Sequence, residues 1–186
     1  MRKLTVFFPG IGYTMDKPLL HYSRKLAAEA GFDTILLSYT GFPSKIKGDK
    51  TKMKESYRIA MDQAKEILSN TDFSAYKDIL FIGKSIGTIV AAEIASQCSV
   101  QDRIRFVLFT PLEDTFAFPL GDAIAFSGTD DPWVAESSIS DLCKHRGIPC
   151  HLVQNANHSL ETGDVLNDID NLKKIMKRTE KFIRHT

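Results

Sequence analysis

The sequence predicts a doubly wound, three-layer α/β/α domain in which a mainly parallel sheet of about six strands lies between two layers of helices. Short runs of almost uninterrupted apolar residues recur along the chain, as expected of strands that are covered on both faces. Segments with apolar residues three and four positions apart, which are typical of amphipathic helices, separate these runs. Strand and helix therefore alternate, and alternation favours parallel strands joined by right-handed crossovers.

The six predicted strands are the apolar runs 4–8, 34–38, 79–82, 105–109, 123–127 and 151–154. Five helical patterns alternate with them. The first has a stripe of Leu19, Tyr22, Leu26 and Ala30 and ends at Gly31; the second has Met53, Tyr57, Ala60, Ala64 and Ile67. The third follows Ser85, the fourth lies between Pro132 and Arg146, and the last runs from Val165 to Ile183. Between 109 and 122 there is room only for a turn or a short helix.

Length and composition favour a single domain over residues 1–186, with 43% hydrophobic and 25% charged residues. The net charge of +1 gives no indication of a nucleic-acid partner. The apolar run near the start is too short for a signal peptide and no later run could span a membrane, so no membrane association is expected. Cys98, Cys143 and Cys150 lack zinc-like spacing, which favours reduced thiols in a cytoplasmic protein and no metal site.

The most informative motif is Gly83-Lys84-Ser85-Ile86-Gly87, which joins a predicted strand to a helix rich in small residues. Gly-x-Ser-x-Gly in this setting is the pattern of the nucleophile elbow of serine hydrolases. The turn is so tight that side chains at the flanking glycines would collide with neighbouring backbone. The alternative is a serine that merely caps a helix.

Two later loops follow predicted strands and carry chemically suitable side chains. The loop 128–134 contains Asp130 and Asp131, and the loop 155–159 contains His158. In a doubly wound sheet these loops meet at the carboxyl edge of the strands, where ligands bind. A histidine can take the proton of a serine, and a carboxylate can orient that histidine. Asp131 before Pro132 also suits a helix N-cap, and a lone loop histidine is often only solvated.

With this order of Ser, Asp and His, the chain resembles a small, lidless member of the α/β-hydrolase superfamily, similar to dienelactone hydrolases and esterases. The resemblance extends from Leu4 to the last helix. It implies that Ser85 is the nucleophile and His158 the base. It favours Asp131 over Asp130 as the acid, because the acid of the family usually occupies the fourth position of a Gly-x-x-Asp loop. It also implies an open site, because no lid fits between 109 and 122.

The oxyanion hole is predicted to be two backbone N–H groups, those of Ile11 and Ile86. Ile86 begins the helix after the nucleophile, where unpaired amides favour an anion. Ile11 follows Gly10 in the loop after the first strand, and the residue after this glycine is the usual donor in the family. Many members have His-Gly where this chain has Pro9-Gly10. The alternatives are a glycine-rich turn before a helix capped by Asp16, or a phosphate-binding loop, although the glycine spacing of the latter is incomplete.

The sequence therefore predicts a serine hydrolase that cleaves an ester or related acyl bond of a small soluble molecule without a cofactor. Thioesterase or peptidase activity with the same residues, or a non-catalytic binding protein on this fold, are the alternatives. Aromatic residues in the loops either wall an acyl pocket or pack beneath the loops: Tyr13, Tyr39, Phe42, Phe116 and Trp133. Five lysines between 45 and 54 either form a solvated loop or attract an anionic substrate.

Overall fold

The computed structural model describes residues 2–185 and contains one six-stranded sheet. The strands are β1 Lys3–Phe8, β2 Asp33–Leu36, β3 Asp78–Lys84, β4 Ile104–Phe109, β5 Ala123–Gly128 and β6 Cys150–Val153. Their order across the sheet is β2-β1-β3-β4-β5-β6, and every neighbouring pair is parallel. All six predicted strands are therefore present, with their ends displaced by at most two residues.

Five helices cover the two faces of the sheet: α1 Pro18–Glu29, α2 Lys50–Leu68, α3 Ile86–Ser96, α4 Glu136–His145 and α5 Val165–Arg184. Buried residues of α1 and α5 join one core cluster, and those of α2, α3 and α4 join another on the opposite face. This is the predicted three-layer α/β/α arrangement. In the described chain, the connection from β4 to β5 contains only the 3-10 helix Glu113–Ala117, so the predicted absence of a lid is confirmed.

Alternation along β3 determines which side chains reach which face. Ile79 and Phe81 lie in the core on the α2–α4 face, whereas Leu80 and Ile82 lie in the core on the α1/α5 face. Every residue of β3 is buried, which explains why its sequence is an apolar run rather than an alternating one. By the same alternation, the side chain of Lys84 lies on the α1/α5 face, as those of Leu80 and Ile82 do.

The structure locates three helix starts that the sequence left open. The N-cap of α1 is Lys17, not Asp16, and makes no side-chain capping bond. The helix α2 begins at Lys50, where Asp49 Oδ1 accepts from the N–H of Thr51 at 3.0 Å, so three of the five clustered lysines are helical. The helix α4 begins at Glu136 rather than directly after Pro132.

The carboxyl end of α5 is attached to the sheet by Arg105 of β4. Its guanidinium donates to both carboxylate oxygens of Asp78, at 3.0 and 3.1 Å, and this ion pair is nearly buried. The same guanidinium donates to the carbonyl oxygens of Phe182 at 2.7 Å and His185 at 3.0 Å. One side chain thus satisfies a buried carboxylate and the free carbonyls of a helix end.

The strand order reverses at β1, which lies between β2 and β3. In open α/β sheets, ligands bind at such a reversal, in the crevice outside the carboxyl ends of the strands. The loop after β1 and the turn after β3 are therefore neighbours at this edge. Within residues 2–185, none of the helices combines the length and apolar character needed to cross a bilayer.

Candidate active site

Ser85 lies between β3 and α3 in a strained backbone conformation, with φ 55° and ψ −126°. A non-glycine residue in the left-handed region costs free energy, and such residues cluster at functional sites. The turn is held by the N–H of Ser85, which donates to Phe109 O at 3.0 Å, and by the N–H of Thr88, which donates to Ser85 O at 2.8 Å. A Cβ at Gly83 would lie only 2.9 Å from Thr88 Cα. The tight turn expected from the motif is therefore present.

The loop after β1 lies directly against this turn. A Cβ at Gly87 would overlap the carbonyl oxygen of Phe8, so only glycine allows α3 to approach β1 so closely. Gly10 and Tyr13 form a two-residue hairpin through reciprocal backbone hydrogen bonds of 3.2 and 3.3 Å. A Cβ at Gly10 would lie 3.3 Å from Ser85 Cβ, which places the hairpin beside the serine.

The two amides predicted to form an oxyanion hole flank Ser85 in this arrangement. Ile11 lies at the corner of the hairpin and Ile86 is the first residue of α3. Neither N–H donates a hydrogen bond to another group of residues 2–185. Unpaired N–H groups at a helix start, with a second N–H nearby, suit a developing negative charge.

His158 lies between Ser85 and Asp131. Its Nε2 is 2.7 Å from Ser85 Oγ, and its Nδ1 is 2.6 Å from Asp131 Oδ2. Because a carboxylate can only accept, Nδ1 carries the hydrogen and Nε2 is free to accept from the Ser85 hydroxyl. The imidazole is mostly buried, with 17% of the side chain exposed, whereas the Asp131 side chain is fully covered.

The structure distinguishes the two neighbouring aspartates. Asp130 is exposed, and its N–H donates to Ala156 O at 3.0 Å. Asp131 uses Oδ2 for His158 and Oδ1 to accept from the N–H of Trp133 at 2.9 Å. Because α4 begins at Glu136, Asp131 does not cap it; the carboxylate caps only the short turn at Trp133.

Local hydrogen bonds hold the loop that carries His158. Asn157 Oδ1 accepts from the N–H of Ser159 at 2.7 Å, and the N–H of Asn157 donates to Glu161 O at 2.9 Å. A Cβ at Gly128 would overlap the carbonyl oxygen of Ala156, so the end of β5 touches this loop directly. Sequence reasoning did not identify Asn157, although an asparagine that bonds the backbone two residues later is a common loop device.

Sequence reasoning also missed Lys84, which precedes the serine. Its residue exposure is 1%, and its Nζ donates to Thr110 Oγ1 at 2.6 Å. Burial lowers the pKa of Lys84 to about 7, against the opposing charges of Asp131 and Glu161. The signal available in the sequence was a lysine two residues after the apolar run 79–82.

Burial also lowers the pKa of His158 below its ordinary value. The hydrogen bond to Asp131 opposes this shift, whereas the positive charge of Lys84 adds to it. The environment therefore favours the neutral imidazole, the form that can accept the proton of Ser85.

Of the loop aromatics, only Trp133 lies beside the imidazole, with ring centroids 5.6 Å apart. It packs with Val134 and Ile11 around a small apolar cluster of Ile86, Ile89 and Leu112. The other four aromatics pack against the two main cores: Tyr13, Tyr39, Phe42 and Phe116. No group of three or more His, Cys, Asp or Glu side chains in the described part of the chain is arranged to hold a metal ion.

No protein-family model matches the sequence, and no curated protein matches it. Several solved structures, however, are similar to the structure of this chain. An α/β serine hydrolase homologue from Coxiella burnetii is 16% identical, with a TM-score of 0.65 over 95% of this chain and 84% of that one. An α/β serine hydrolase without a lid from Xanthomonas campestris is 12% identical, with a TM-score of 0.62 over 98% and 81%. An esterase from Pyrococcus furiosus is 12% identical, with a TM-score of 0.65 over 98% and 82%. The chain thus has the α/β-hydrolase fold in a form without a lid.

Proposed function

We propose that this protein is a serine hydrolase that cleaves an ester or related acyl bond of a small molecule through an acyl-enzyme. The observation that carries the proposal is the continuous hydrogen-bonded chain from Ser85 through His158 to Asp131, at 2.7 and 2.6 Å, starting from a strained serine. Helix capping alone would not require Ser85 to contact an imidazole whose Nδ1 is hydrogen-bonded to a buried carboxylate.

In the proposed first step, Ser85 Oγ attacks the carbonyl carbon while its proton passes to Nε2 of His158. The Asp131 carboxylate stabilises the imidazolium that forms. The backbone amides of Ile11 and Ile86 receive the negative charge on the carbonyl oxygen. The bond to the leaving alkoxide then breaks, and His158 returns the proton to the departing alcohol.

Deacylation repeats these roles with water. His158 takes a proton from the water, whose oxygen attacks the acyl carbon, and the proton then passes to Ser85 Oγ as the acyl–serine bond breaks. The acid leaves and the free enzyme is restored without a cofactor. The apolar side chains of Ile86, Leu112 and Trp133 are the proposed wall for the acyl group. We propose a cytoplasmic location, because Cys98, Cys143 and Cys150 form no disulfide.

A fluorophosphonate probe tests the nucleophile. We expect it to label the wild type and to leave Ser85→Ala unlabelled, with Ser96→Ala as the matched control because Ser96 lies at the far end of α3. Equal labelling of wild type and Ser85→Ala would contradict the proposal.

A substrate panel then distinguishes the bond types. A burst of product from a nitrophenyl ester that disappears in His158→Ala supports acyl-enzyme chemistry. Faster turnover of thioesters or peptides than of esters would indicate that the enzyme cleaves those bonds instead. A wild type that binds such compounds without turnover would indicate a binding protein.

A further inference from the structure

Lys84 is among the most completely buried large side chains of the molecule, yet it carries an amino group. It ends β3, and its side chain continues the row of Leu80 and Ile82 on the α1/α5 face of the sheet. A buried ammonium is costly unless other groups compensate for the lost water. The groups that surround Nζ therefore indicate what this lysine does.

Two groups contact Nζ directly. Thr110 Oγ1 accepts a hydrogen bond from it at 2.6 Å, and the centroid of the Tyr13 ring lies 4.9 Å away, in the range of a cation–π contact. Thr110 is itself fixed, because its N–H donates to Phe126 O at 2.7 Å. The hydroxyl oxygen of Tyr13 accepts from the N–H of Leu19 at 3.2 Å. The ammonium thus lies between rigid partners from two different loops.

The Tyr13 contact connects Lys84 to the hairpin beside the nucleophile. Tyr13 and Gly10 are the paired ends of that hairpin, and Ile11 is at its corner. A Cβ at Gly10 would lie 3.2 Å from Lys84 O and 3.5 Å from Lys84 Cγ, so the hairpin rests on this lysine. Movement of the lysine would therefore displace the Ile11 amide relative to Ser85.

Four titratable groups on the elements around the ammonium interact with it. Asp131 after β5 and Glu161 after β6 attract it, whereas His158 is near enough for repulsion to disfavour its imidazolium form. The fourth is Tyr13, whose pKa is raised by burial, so its ring presents a neutral face. Lys84 is thus a positive charge that interacts with both members of the Asp131–His158 pair.

We propose that Lys84 is a positioning residue of the hydrolytic site: its buried ammonium supports the hairpin of residues 10–13 through Tyr13 and places a positive charge near the His158 imidazole. This inference rests on the proposed hydrolase function. Lys84 does not touch the reacting atoms; it acts through Tyr13 and through its charge.

The direction of the expected change in pH dependence follows from the charge of Lys84 and the pKa of His158. With its pKa lowered to about 7, Lys84 is charged at the acidic pH values where His158 takes up a proton. Its charge opposes that proton, so His158 stays neutral to a lower pH than it would beside an apolar side chain. Removing the charge therefore shifts the loss of activity to higher pH.

The test compares the pH profile of kcat/KM for nitrophenyl acetate in the wild type and Lys84→Met, which keeps a side chain of similar length. We expect the acidic limb to move upward by roughly 0.5–1 pH unit, a threefold to tenfold loss at pH 5. Lys177→Met, on the exposed side of α5, makes the same change of net charge and should leave the limb in place. A limb unmoved in folded Lys84→Met would overturn the proposal.

A second pair of variants serves if Lys84→Met does not fold. Thr110→Val removes the acceptor of the Nζ hydrogen bond, and Thr110→Ser retains it. We expect Thr110→Val to shift the upper part of the acidic limb upward, because loss of the hydrogen bond lowers the pKa of Lys84 further and leaves it uncharged over more of the range in which His158 titrates, and Thr110→Ser to match the wild type. Equal limbs in the two variants would contradict the proposal.

Proton NMR titration of the His158 imidazole, assigned by its loss in His158→Ala, separates this inference from the hydrolase proposal. An inactive wild type would refute the hydrolase function, but the His158 titration would still report the effect of Lys84. We expect a higher His158 pKa in Lys84→Met. An active wild type whose His158 titrates as in the variant would refute the role of Lys84 alone.

Discussion

At the scale of single residues, the site depends on a carboxylate with two hydrogen-bonding directions. Asp131 holds the imidazole with Oδ2 and the turn before α4 with Oδ1. Its neighbour Asp130 is exposed. The Asp-Pro sequence suits a helix cap, but the helix starts at Glu136 and leaves the carboxylate free for His158.

We expect Asp131→Asn to lower kcat for ester hydrolysis by about 10³–10⁴-fold, because an amide that donates to Nδ1 stabilises the wrong tautomer of His158. The matched change Asp130→Asn should leave kcat within about twofold, as expected for an exposed group outside the hydrogen-bonded chain. Steady-state kinetics on both purified variants, with circular dichroism to verify folding, measures this. A larger loss in Asp130→Asn would reverse the assignment of the acid.

Ser85 and His158, which the structure brings together, could be selected from the sequence because each follows a strand in a recognisable loop. The same reasoning left Asp130 and Asp131 open, and only the family resemblance favoured Asp131. Their catalytic roles remain predictions. Lys84 and Thr110 could not be paired from sequence, because their contact joins the ends of neighbouring strands 26 residues apart. Asn157 could have been identified from sequence, because its side chain bonds only to backbone N–H groups two and four residues later.

At the scale of elements, the position of α3 against β1 depends on the glycine at position 87, which has no side chain. The Cα of Gly87 faces the carbonyl oxygen of Phe8, with no space for a Cβ. This contact sets the separation between the nucleophile turn and the hairpin that carries Ile11. The geometry of the predicted oxyanion hole is therefore determined by how closely a helix approaches a strand.

We expect Gly87→Ala to reduce the rate of fluorophosphonate labelling by about 100-fold, because the added Cβ must push α3 and β1 apart and a displacement of ~1 Å is enough for such a loss. Gly147→Ala is the matched control. Gly147 has φ 67° but open space around its Cα, so alanine there should cost about 1–2 kcal/mol of stability and leave labelling unchanged. Labelling of Gly87→Ala at the wild-type rate would contradict this account.

The four central strands could be predicted because burial on both faces of the sheet requires continuous apolar runs, and such runs are visible in the sequence. The edge strands β2 and β6 are less buried. The helix starts were less predictable, since caps depend on local geometry. Asp16 was an alternative candidate for the cap of α1, but the cap is Lys17, and Pro18 in the first turn takes the place of an unpaired N–H. Asp49, which does cap α2, resembles any loop aspartate in the sequence.

At the scale of the whole molecule, Arg105 joins the centre of the sheet to the last helix. Its guanidinium binds Asp78 of β3 and the carbonyls at the end of α5, and both partners of the ion pair are largely shielded from solvent. Such a group costs much to remove, because the carboxylate that remains has neither water nor a counter-charge.

We expect Arg105→Ala to lower the free energy of unfolding by about 3 kcal/mol or more, measured by urea denaturation. Arg184→Ala removes an arginine whose pairing with Glu180 is solvent-exposed, at 49% and 41% exposure, and should cost less than about 1 kcal/mol. Equal losses in the two variants would show that the buried pair contributes no more than the surface pair.

The short connection from β4 to β5 has a kinetic consequence. In the described chain no inserted helices cover the Ser85 edge of the sheet, so no segment of this kind has to move before a substrate arrives. A cover that opened only at an oil–water interface would add a step before the substrate binds. For the present molecule we expect instead a hyperbolic dependence of rate on dissolved substrate, with no jump in rate where the substrate begins to form droplets.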